Sequence, residues 1–223
     1  MSECLLRMLD ESGRLVPAGD FIPAAEKLGL IRMVDRRTLE LALEELEACP
    51  DLQLAVNLSG MTVVDPSTLT QLLGLGRDAG RVAERLTFEI TETVAVQDIR
   101  DSVHMVERLK ELGCTVALDD FGAGYTSYRY LKTLDVDLMK IDGQFVQGLD
   151  SNRDNDLFVR TLIDLAHGFD VRVVAESIET EADALALRRR GVDYLQGYYF
   201  GRPEIGRPWQ AANPPPLLAA LGG

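Results

Sequence analysis

Short apolar runs of β-type composition alternate with amphipathic segments at helical spacing through most of this 223-residue chain. Residues within these runs are apolar in succession rather than alternately, which is typical of strands buried on both faces of a parallel sheet. The predicted strands are Cys4–Met8, Gln53–Leu58, Leu86–Ile90, Thr115–Leu118, Asp137–Ile141, Val171–Ala175 and Asp193–Leu195. Repeated β-α units of this length favour either a doubly wound sheet or an eight-stranded barrel.

The segments between these strands predict helices, and two of them end at glycines, Gly113 and Gly191, where a left-handed stop is expected. The predicted helices are Ala24–Leu46, Ser67–Ala79, Ile99–Leu112, Asn155–His167 and Thr180–Arg190. No strand is followed by a Gly-x-Gly-x-x-Gly turn that opens a helix, which weighs against a dinucleotide-binding fold. A doubly wound sheet and an eight-stranded barrel both fit this order of elements.

The two ends of the chain differ from the pattern between them. Seven strands are one short of an eight-stranded barrel, and the chain enters its first strand at once, so we expect a strand before Glu3 to be absent. Beyond Arg207 the sequence turns to Ala, Pro, Leu and Gly. We predict one domain over residues 1–205 and a C-terminal tail over 206–223.

Composition limits the partners and the metals. The formal net charge of −13 argues against binding of nucleic acid or anionic lipid through a broad basic face. No apolar run is long enough to span a membrane and no secretory signal opens the chain, so we predict a cytoplasmic protein without membrane contact. Three separated cysteines favour reduced, buried thiols. With only two histidines, any metal is expected to be held by oxygen, which favours magnesium, manganese or calcium.

Polar side chains recur at the carboxyl ends of the predicted strands, where active sites of α/β barrels are built. They are Asn57, Glu89, Asp119, Asp120, Lys140, Glu176 and Gln196. Each one alone has an ordinary explanation, such as a turn cap, an exposed strand edge, a surface ion pair or a first-turn acid of a helix. Their occurrence along the same edge of one sheet favours a functional site.

Asp119 and Asp120 are adjacent, directly after an apolar run and before a glycine-rich loop. Neighbouring carboxylates repel each other and are costly to bury, so such a pair is usually offset by a cation or by specific hydrogen-bond donors. An exposed Asp-Asp turn is the alternative for this segment considered by itself.

The order of these motifs resembles that of the EAL-domain family of cyclic di-GMP phosphodiesterases, almost from end to end. The resemblance implies a TIM-like (β/α) barrel of the EAL type that lacks its N-terminal strand. The matching segments are Glu3-Cys4-Leu5-Leu6-Arg7, Phe21-Ile22-Pro23-Ala24-Ala25-Glu26, Gly29-Leu30-Ile31, Val56-Asn57-Leu58-Ser59, Glu89-Ile90-Thr91-Glu92, Asp119-Asp120-Phe121-Gly122, Lys140-Ile141-Asp142, Ala175-Glu176 with Glu179, and Gln196-Gly197-Tyr198.

The resemblance also implies two magnesium or manganese ions. One ion would be held by Glu3, Asn57, Glu89 and Asp119. A second ion would be bridged by Asp119 and held by Asp120, with Glu176 nearby. Two such ions can activate a water and stabilise charge on the attacking and leaving oxygens of a phosphodiester. Calcium is expected to allow binding without cleavage, because its longer and looser coordination suits that geometry poorly.

The catalytic and substrate roles implied by the resemblance fall on residues outside the purely metal-holding set. Lys140 would lie beside the water, Glu176 would act as general base or organise the water, and Gln196 would position the network. Arg7 would clamp a phosphate. Leu5 and Glu179 are expected to contact the substrate as well.

Glu92 and the loop Phe121–Ser127 are implied to support the aspartate pair, with Gly122 and Gly124 permitting the loop backbone. In relatives this region also contributes to a homodimer, which we expect here. We also expect an upstream sensory or GGDEF-type domain in the full-length protein.

Several positions depart from the family pattern. Ala123 replaces a threonine in the loop, Met8 stands where tryptophan is common, and Gly143-Gln144 stands where Arg-Ser is common. Ser177 replaces the glycine after Glu176, and its Cβ is expected to require an ordinary backbone conformation there. No departure removes an implied metal ligand.

Three functions remain open from the sequence. The favoured one is hydrolysis of cyclic di-GMP to linear pGpG. The alternative is a receptor that binds cyclic di-GMP without cleaving it, motivated by Ala123, Ser177 and the absent first strand. The third is hydrolysis of a different phosphodiester, or a purely structural remnant of the fold.

Overall fold

The structure is a computed structural model that describes residues 1–65, 74, 80–123, 128–149, 152–206 and 209. The strands are β1 Ser2–Glu3, β2 Arg7–Leu9, β3 Leu15–Pro17, β4 Leu54–Asn57, β5 Leu86–Thr91, β6 Thr115–Phe121, β7 Leu138–Ile141, β8 Arg172–Ala175 and β9 Tyr194–Leu195. The helices are α1 Ala18–Lys27, α2 Ile31–Ala48, α3 Gly60–Val63, α4 Glu92–Gln97, α5 Ile99–Glu111, α6 Tyr128–Leu134, α7 Gly143–Val146, α8 Arg153–His167 and α9 Glu181–Arg189, with a 3-10 turn over Gly80–Arg85.

The chain divides into two compact units. The N-terminal unit comprises Met1–Ile90 and Arg100–Thr115, and the C-terminal unit comprises Thr91–Ile99 and Val116–Gly223. In the described part of the chain, no helix has both the length and the apolar character needed to cross a membrane.

In the N-terminal unit, β1 pairs in parallel with β4, and β4 pairs in parallel with β5. The apolar stripe of α2 is buried, with Ile31, Leu39 and Leu46 at 1% exposure or less, and this helix packs against β4. Arg85 donates to the carbonyls of Leu46 and Cys49, which satisfies acceptors left open at the end of α2.

In the C-terminal unit, β6, β7, β8 and β9 pair in parallel in that order. The strand interiors are buried, and α8 packs against β8 through an apolar face that includes Val159 and Ile163. Successive buried residues on these strands confirm the expected burial of both sheet faces. Parallel pairing aligns the carboxyl ends of the strands along one edge in each unit.

The predicted strand over Cys4–Met8 is wrong. The chain instead forms a two-residue strand, β1, and then a separate antiparallel hairpin of β2 and β3. The hairpin turn is organised by Asp10, whose Oδ1 accepts from the backbone N–H groups of Ser12 and Arg14 at 2.9 Å. Arg7 therefore begins a hairpin strand and not the end of a strand in the large sheet.

The predicted helix over Ala24–Leu46 is two helices, α1 and α2. Gly29 has φ +70, and the N–H of Leu30 bonds to the carbonyl of Ala25, which together end α1 in a left-handed stop. The apolar spacing continues across this break, so periodicity alone did not detect it.

The remaining predictions concern the helix-ending glycines, the cysteines, one further helix and the C-terminal tail. The glycine stops are confirmed, because Gly113 has φ +88 and Gly191 has φ +86. All three cysteines are free, but only Cys114 is buried, while Cys4 and Cys49 are partly exposed. The predicted helix over Ser67–Ala79 and most of the tail over 206–223 lie outside the described residues.

Candidate metal centre

Asp119 and Asp120 lie within β6 and not after it, because that strand continues to Phe121. The register against β7 shifts between Leu118 and Phe121, and Asp120 has φ +55. Such a bulge re-aims side chains that would otherwise alternate across the sheet. Asp119 is 8% exposed and its Oδ1 accepts from the backbone N–H of Asp120 at 2.9 Å. The pair is therefore a bulged strand end and not an exposed turn.

Glu176 joins the aspartate pair. It follows β8, and its backbone N–H donates to the carbonyl of Ile141 at 3.3 Å. One carboxylate oxygen from each of Asp119, Asp120 and Glu176 lies within 4.8 Å of the others. Oxygen donors at this spacing fit magnesium or manganese, and they are the donor set expected from the sequence.

Lys140 is buried at 1% exposure on β7, which excludes the alternative of a surface lysine. Its Nζ lies 3.1 Å from Asp119 Oδ1 and 2.7 Å from Glu176 Oε1. A buried ammonium requires such partners, since an isolated charge in the interior is very costly. Lys140 therefore links two of the three clustered carboxylates and fixes their orientation.

Gln196 follows β9, and its backbone continues the hydrogen bonding between the β8 and β9 segments beyond the ends of these strands. Its backbone N–H donates to Ala175 at 2.9 Å, and its carbonyl accepts from the N–H of Ile178 at 3.0 Å. These bonds hold the chain on both sides of Glu176. Gln196 is thus positioned next to the Glu176 segment, as expected from its place in the sequence.

Glu92 contacts the start of the glycine-rich loop. It is 3% exposed, and its Oε2 accepts from the backbone N–H of Gly122 at 3.1 Å. Gly122 has φ +101, and a Cβ there would approach the rings of Phe145 and Phe158 at 3.1 Å, so glycine is required. Gly124 lies outside the described residues.

In the N-terminal unit, Glu3, Asn57 and Glu89 occupy the carboxyl ends of β1, β4 and β5. Asn57 Nδ2 donates to Glu3 Oε1 at 3.0 Å, and Asn57 is the register partner of Glu89, which is 1% exposed. Burial, followed by the charges of Glu3, Glu89 and Glu45, raises the pKa of the Cys4 thiol to about 12. The same negative field favours a cation at this strand edge.

Asp35 is a buried carboxylate that was not among the predicted site residues, and it anchors the chain after Asn57. Its Oδ2 accepts from the hydroxyl of Ser59 at 2.6 Å and of Thr62 at 2.5 Å, and from the N–H of Ser59 at 3.1 Å. The signal was present, because Asp35 occupies the apolar stripe of α2 between Ile31 and Leu39.

The residues expected to contact substrate are Arg7, Leu5 and Glu179. Arg7 Nη1 donates to the carbonyls of Leu6 at 2.9 Å and Leu5 at 3.4 Å, so its recorded bonds are local. Leu5 is 45% exposed, and Glu179 is exposed just before α9. Their substrate roles stay predictions.

Ser177 departs from its expectation. A side chain at this position was expected only with an ordinary backbone conformation, but Ser177 has φ +55. A left-handed conformation is strained for a residue with a Cβ. The strain lies one residue after Glu176.

Comparisons with known proteins show the family of this chain. The sequence profile of the EAL domain family matches residues 2–203. Cyclic di-GMP phosphodiesterase PdeF of Escherichia coli K12 is 36% identical over 209 residues, which are 91% of this chain and 28% of that protein. The chain thus spans about a quarter of the length of such curated relatives.

Two solved structures give the fold. The PaMucR phosphodiesterase in complex with c-di-GMP is similar at a TM-score of 0.84 and 33% identity, covering 91% of this chain and 89% of that one. The FimX EAL domain from Pseudomonas aeruginosa bound to c-di-GMP is similar at 0.85 and 31% identity, covering 90% and 82%. The expected TIM-like α/β fold class is confirmed, and the chain belongs to the EAL domain family.

Proposed function

We propose that this chain is a phosphodiesterase domain that hydrolyses cyclic di-GMP to linear pGpG. The observation that carries the proposal is the cluster of Asp119, Asp120 and Glu176, with buried Lys140 bonded to the first and the last. Relatives named as cyclic di-GMP phosphodiesterases support the substrate.

The residues fit a divalent metal, because carboxylate and amide oxygens are its preferred ligands. We infer that Asp119, Asp120 and Glu176 hold one magnesium or manganese ion, and that Glu3, Asn57 and Glu89 hold another. When bound, these ions supply electrophilic stabilisation of the phosphodiester and activation of a water.

The chain's own groups then have distinct tasks. Glu176 accepts the proton of the attacking water, since its carboxylate is partly exposed beside the cluster, at 17%. Lys140 holds the carboxylates of Asp119 and Glu176 in place and adds positive charge near the phosphate. Gln196 fixes the backbone around Glu176, and Arg7 binds a phosphate oxygen after leaving its local carbonyl contacts.

The test is incubation of the purified chain with cyclic di-GMP and magnesium or manganese, followed by chromatographic separation of products. We expect pGpG with either metal, and binding without cleavage with calcium. Glu176→Gln should reduce turnover at least about 100-fold, because a general base typically contributes a rate enhancement of about that size or more. Glu181→Gln, an exposed acid in the same unit, is the matched control and should turn over normally.

The second candidate is a receptor that binds cyclic di-GMP without cleaving it, and the strained Ser177 next to Glu176 favours it. Binding of cyclic di-GMP by the wild-type chain with no pGpG under any of these metals would replace the first proposal with this one. A homodimer and an upstream sensory or GGDEF-type domain stay predictions, of which the first is measured by sedimentation of the chain with and without ligand.

A further inference from the structure

Two departures from the family pattern, Ser177 and Gly143, meet in the structure. A Cβ built on Gly143 would overlap both the Oγ and the Cβ of Ser177. The space that a side chain at 143 would occupy is therefore filled by the side chain of Ser177. Ser177 fits in this position because residue 143 has no Cβ.

The Ser177 segment is confined on its other side as well. The N–H of Ile178 donates to the carbonyl of Gln196 at 3.0 Å, and the carbonyl of Ile178 accepts from Tyr199 at 2.9 Å. A Cβ on Gly197 would overlap the backbone N and O of Ile178. These contacts fix the backbone directly after Ser177 and limit how far Ser177 can move away from a side chain at 143.

The consequence of this confinement falls on Glu176. Its backbone N–H is tied to Ile141, two residues before Gly143, and its carboxylate lies 2.7 Å from Lys140. The left-handed turn at Ser177 sets the direction in which the chain leaves Glu176. A displacement of Ser177 is therefore expected to alter the backbone that carries the carboxylate of Glu176.

We propose that Gly143 and Ser177 are a matched pair of positioning residues that set the place of the Glu176 carboxylate. Neither residue is one of the clustered carboxylates or the lysine that contacts them. Gly143 leaves room for Ser177 in its left-handed conformation, and Ser177 in turn holds Glu176 against Lys140. The kinetic part of this proposal rests on the proposed phosphodiesterase function, whereas the structural part does not.

A double-mutant cycle tests the pair, with wild type, Gly143→Ala, Ser177→Gly and the double variant. Gly143→Ala must displace Ser177 by roughly 1 Å, and a misplacement of that size costs on the order of 100-fold in rate. We expect kcat to fall by about that factor while KM for cyclic di-GMP changes less than about threefold. In the Ser177→Gly background the same alanine should change kcat less than about threefold, because its Cβ then has space.

The matched control is Gly201→Ala, since a Cβ there meets nothing within 4 Å. It should leave kcat, KM and melting temperature at their starting values in both backgrounds. Equal effects of Gly143→Ala with Ser177 and with Gly at 177 would overturn the proposal, as would full kcat in the single variant.

Thermal unfolding separates the failure of the pair from the failure of the proposed function. Gly143→Ala overpacks the contact with Ser177 and should melt about 5 °C below wild type. The double variant should melt less than about 1 °C below Ser177→Gly, because the overlap is then absent. If the wild-type chain forms no pGpG, the proposed function fails, and this cycle still decides the pair. If the two single substitutions changed the melting temperature additively in the double variant, the proposed pairing of Gly143 and Ser177 would be overturned, whatever the activity of the chain.

Discussion

Replacing Lys140 with methionine removes the buried charge that links Asp119 to Glu176, at nearly constant side-chain length. The ammonium is 1% exposed, and the two carboxylates are 11% and 17% exposed. Removing one partner of a buried pair typically costs about 3–5 kcal/mol, because the other charge is left uncompensated. Since both carboxylates are partly exposed to solvent, we expect a loss of stability at the lower end of this range, about 3 kcal/mol.

For a protein of this size, about 1 kcal/mol corresponds to roughly 2–4 °C in melting temperature, so Lys140→Met should melt about 6–12 °C below wild type. That difference applies with a chelator present. With manganese added, a bound ion supplies positive charge to Asp119, Asp120 and Glu176, and the difference should shrink by at least half. Turnover of cyclic di-GMP should be lost in either case.

Calorimetric melts of wild type and Lys140→Met, each with chelator and with manganese, measure both effects. Lys132→Met is the matched control, because Lys132 is an exposed lysine on α6, and its melting temperature should stay within about 1 °C of wild type. Equal melting temperatures of wild type and Lys140→Met in chelator would refute the ion-pair reasoning. A deficit that manganese leaves unchanged would refute the assignment of a metal to these carboxylates.

Three further predictions concern groups around the site. Glu92→Ala leaves the Gly122 N–H without its acceptor and should weaken manganese binding at least about tenfold by titration, whereas Glu92→Gln, which keeps an acceptor, should restore most of it. Burial raises the pKa of Asp35 above its ordinary 3.8, so its contribution to stability is present in acid and lost as pH rises. The melting temperature of Asp35→Asn relative to wild type should therefore increase from pH 4 to pH 7, and a constant difference would contradict this sign. Burial raises the pKa of Cys114 to about 12, so peptide-resolved alkylation at pH 8 should label it only in denaturant.

The longer elements were predictable because their patterns report burial directly. Helix α5 and strand β5 have long periodic or continuous apolar runs, and only their ends shifted by a residue. The first strand was mistaken because β1 has two residues and the adjacent Cys4–Met8 run has strand-like composition. The turn at Asp10–Ser12–Gly13 was the available signal that this run enters a hairpin.

The site residues were predictable as a set, and their geometry was not. Strand-end position selected Asp119, Lys140 and Glu176 from the sequence. The bulge that gives Asp120 its positive φ, and the burial of Lys140 between two carboxylates, depend on the register of neighbouring strands. Ser177 shows the same limit, because its tolerance depends on Gly143, which is 34 positions away at the start of helix α7. Contacts of this kind cannot be read from local pattern.

Ala123 was one of three sequence arguments for a receptor, since it lacks a hydroxyl that could anchor the loop. In the described part of that loop, the recorded anchors use backbone groups instead. The N–H of Gly122 donates to Glu92, and the N–H of Ala123 donates to the carbonyl of Asp120 at 3.2 Å. Both bonds are independent of the side chain at 123, so alanine does not remove the hold of Glu92 on the end of β6. The departure with a physical consequence at the site is Ser177, and because Gly143 accommodates it, the combination is compatible with a correctly placed Glu176 and hence with catalysis.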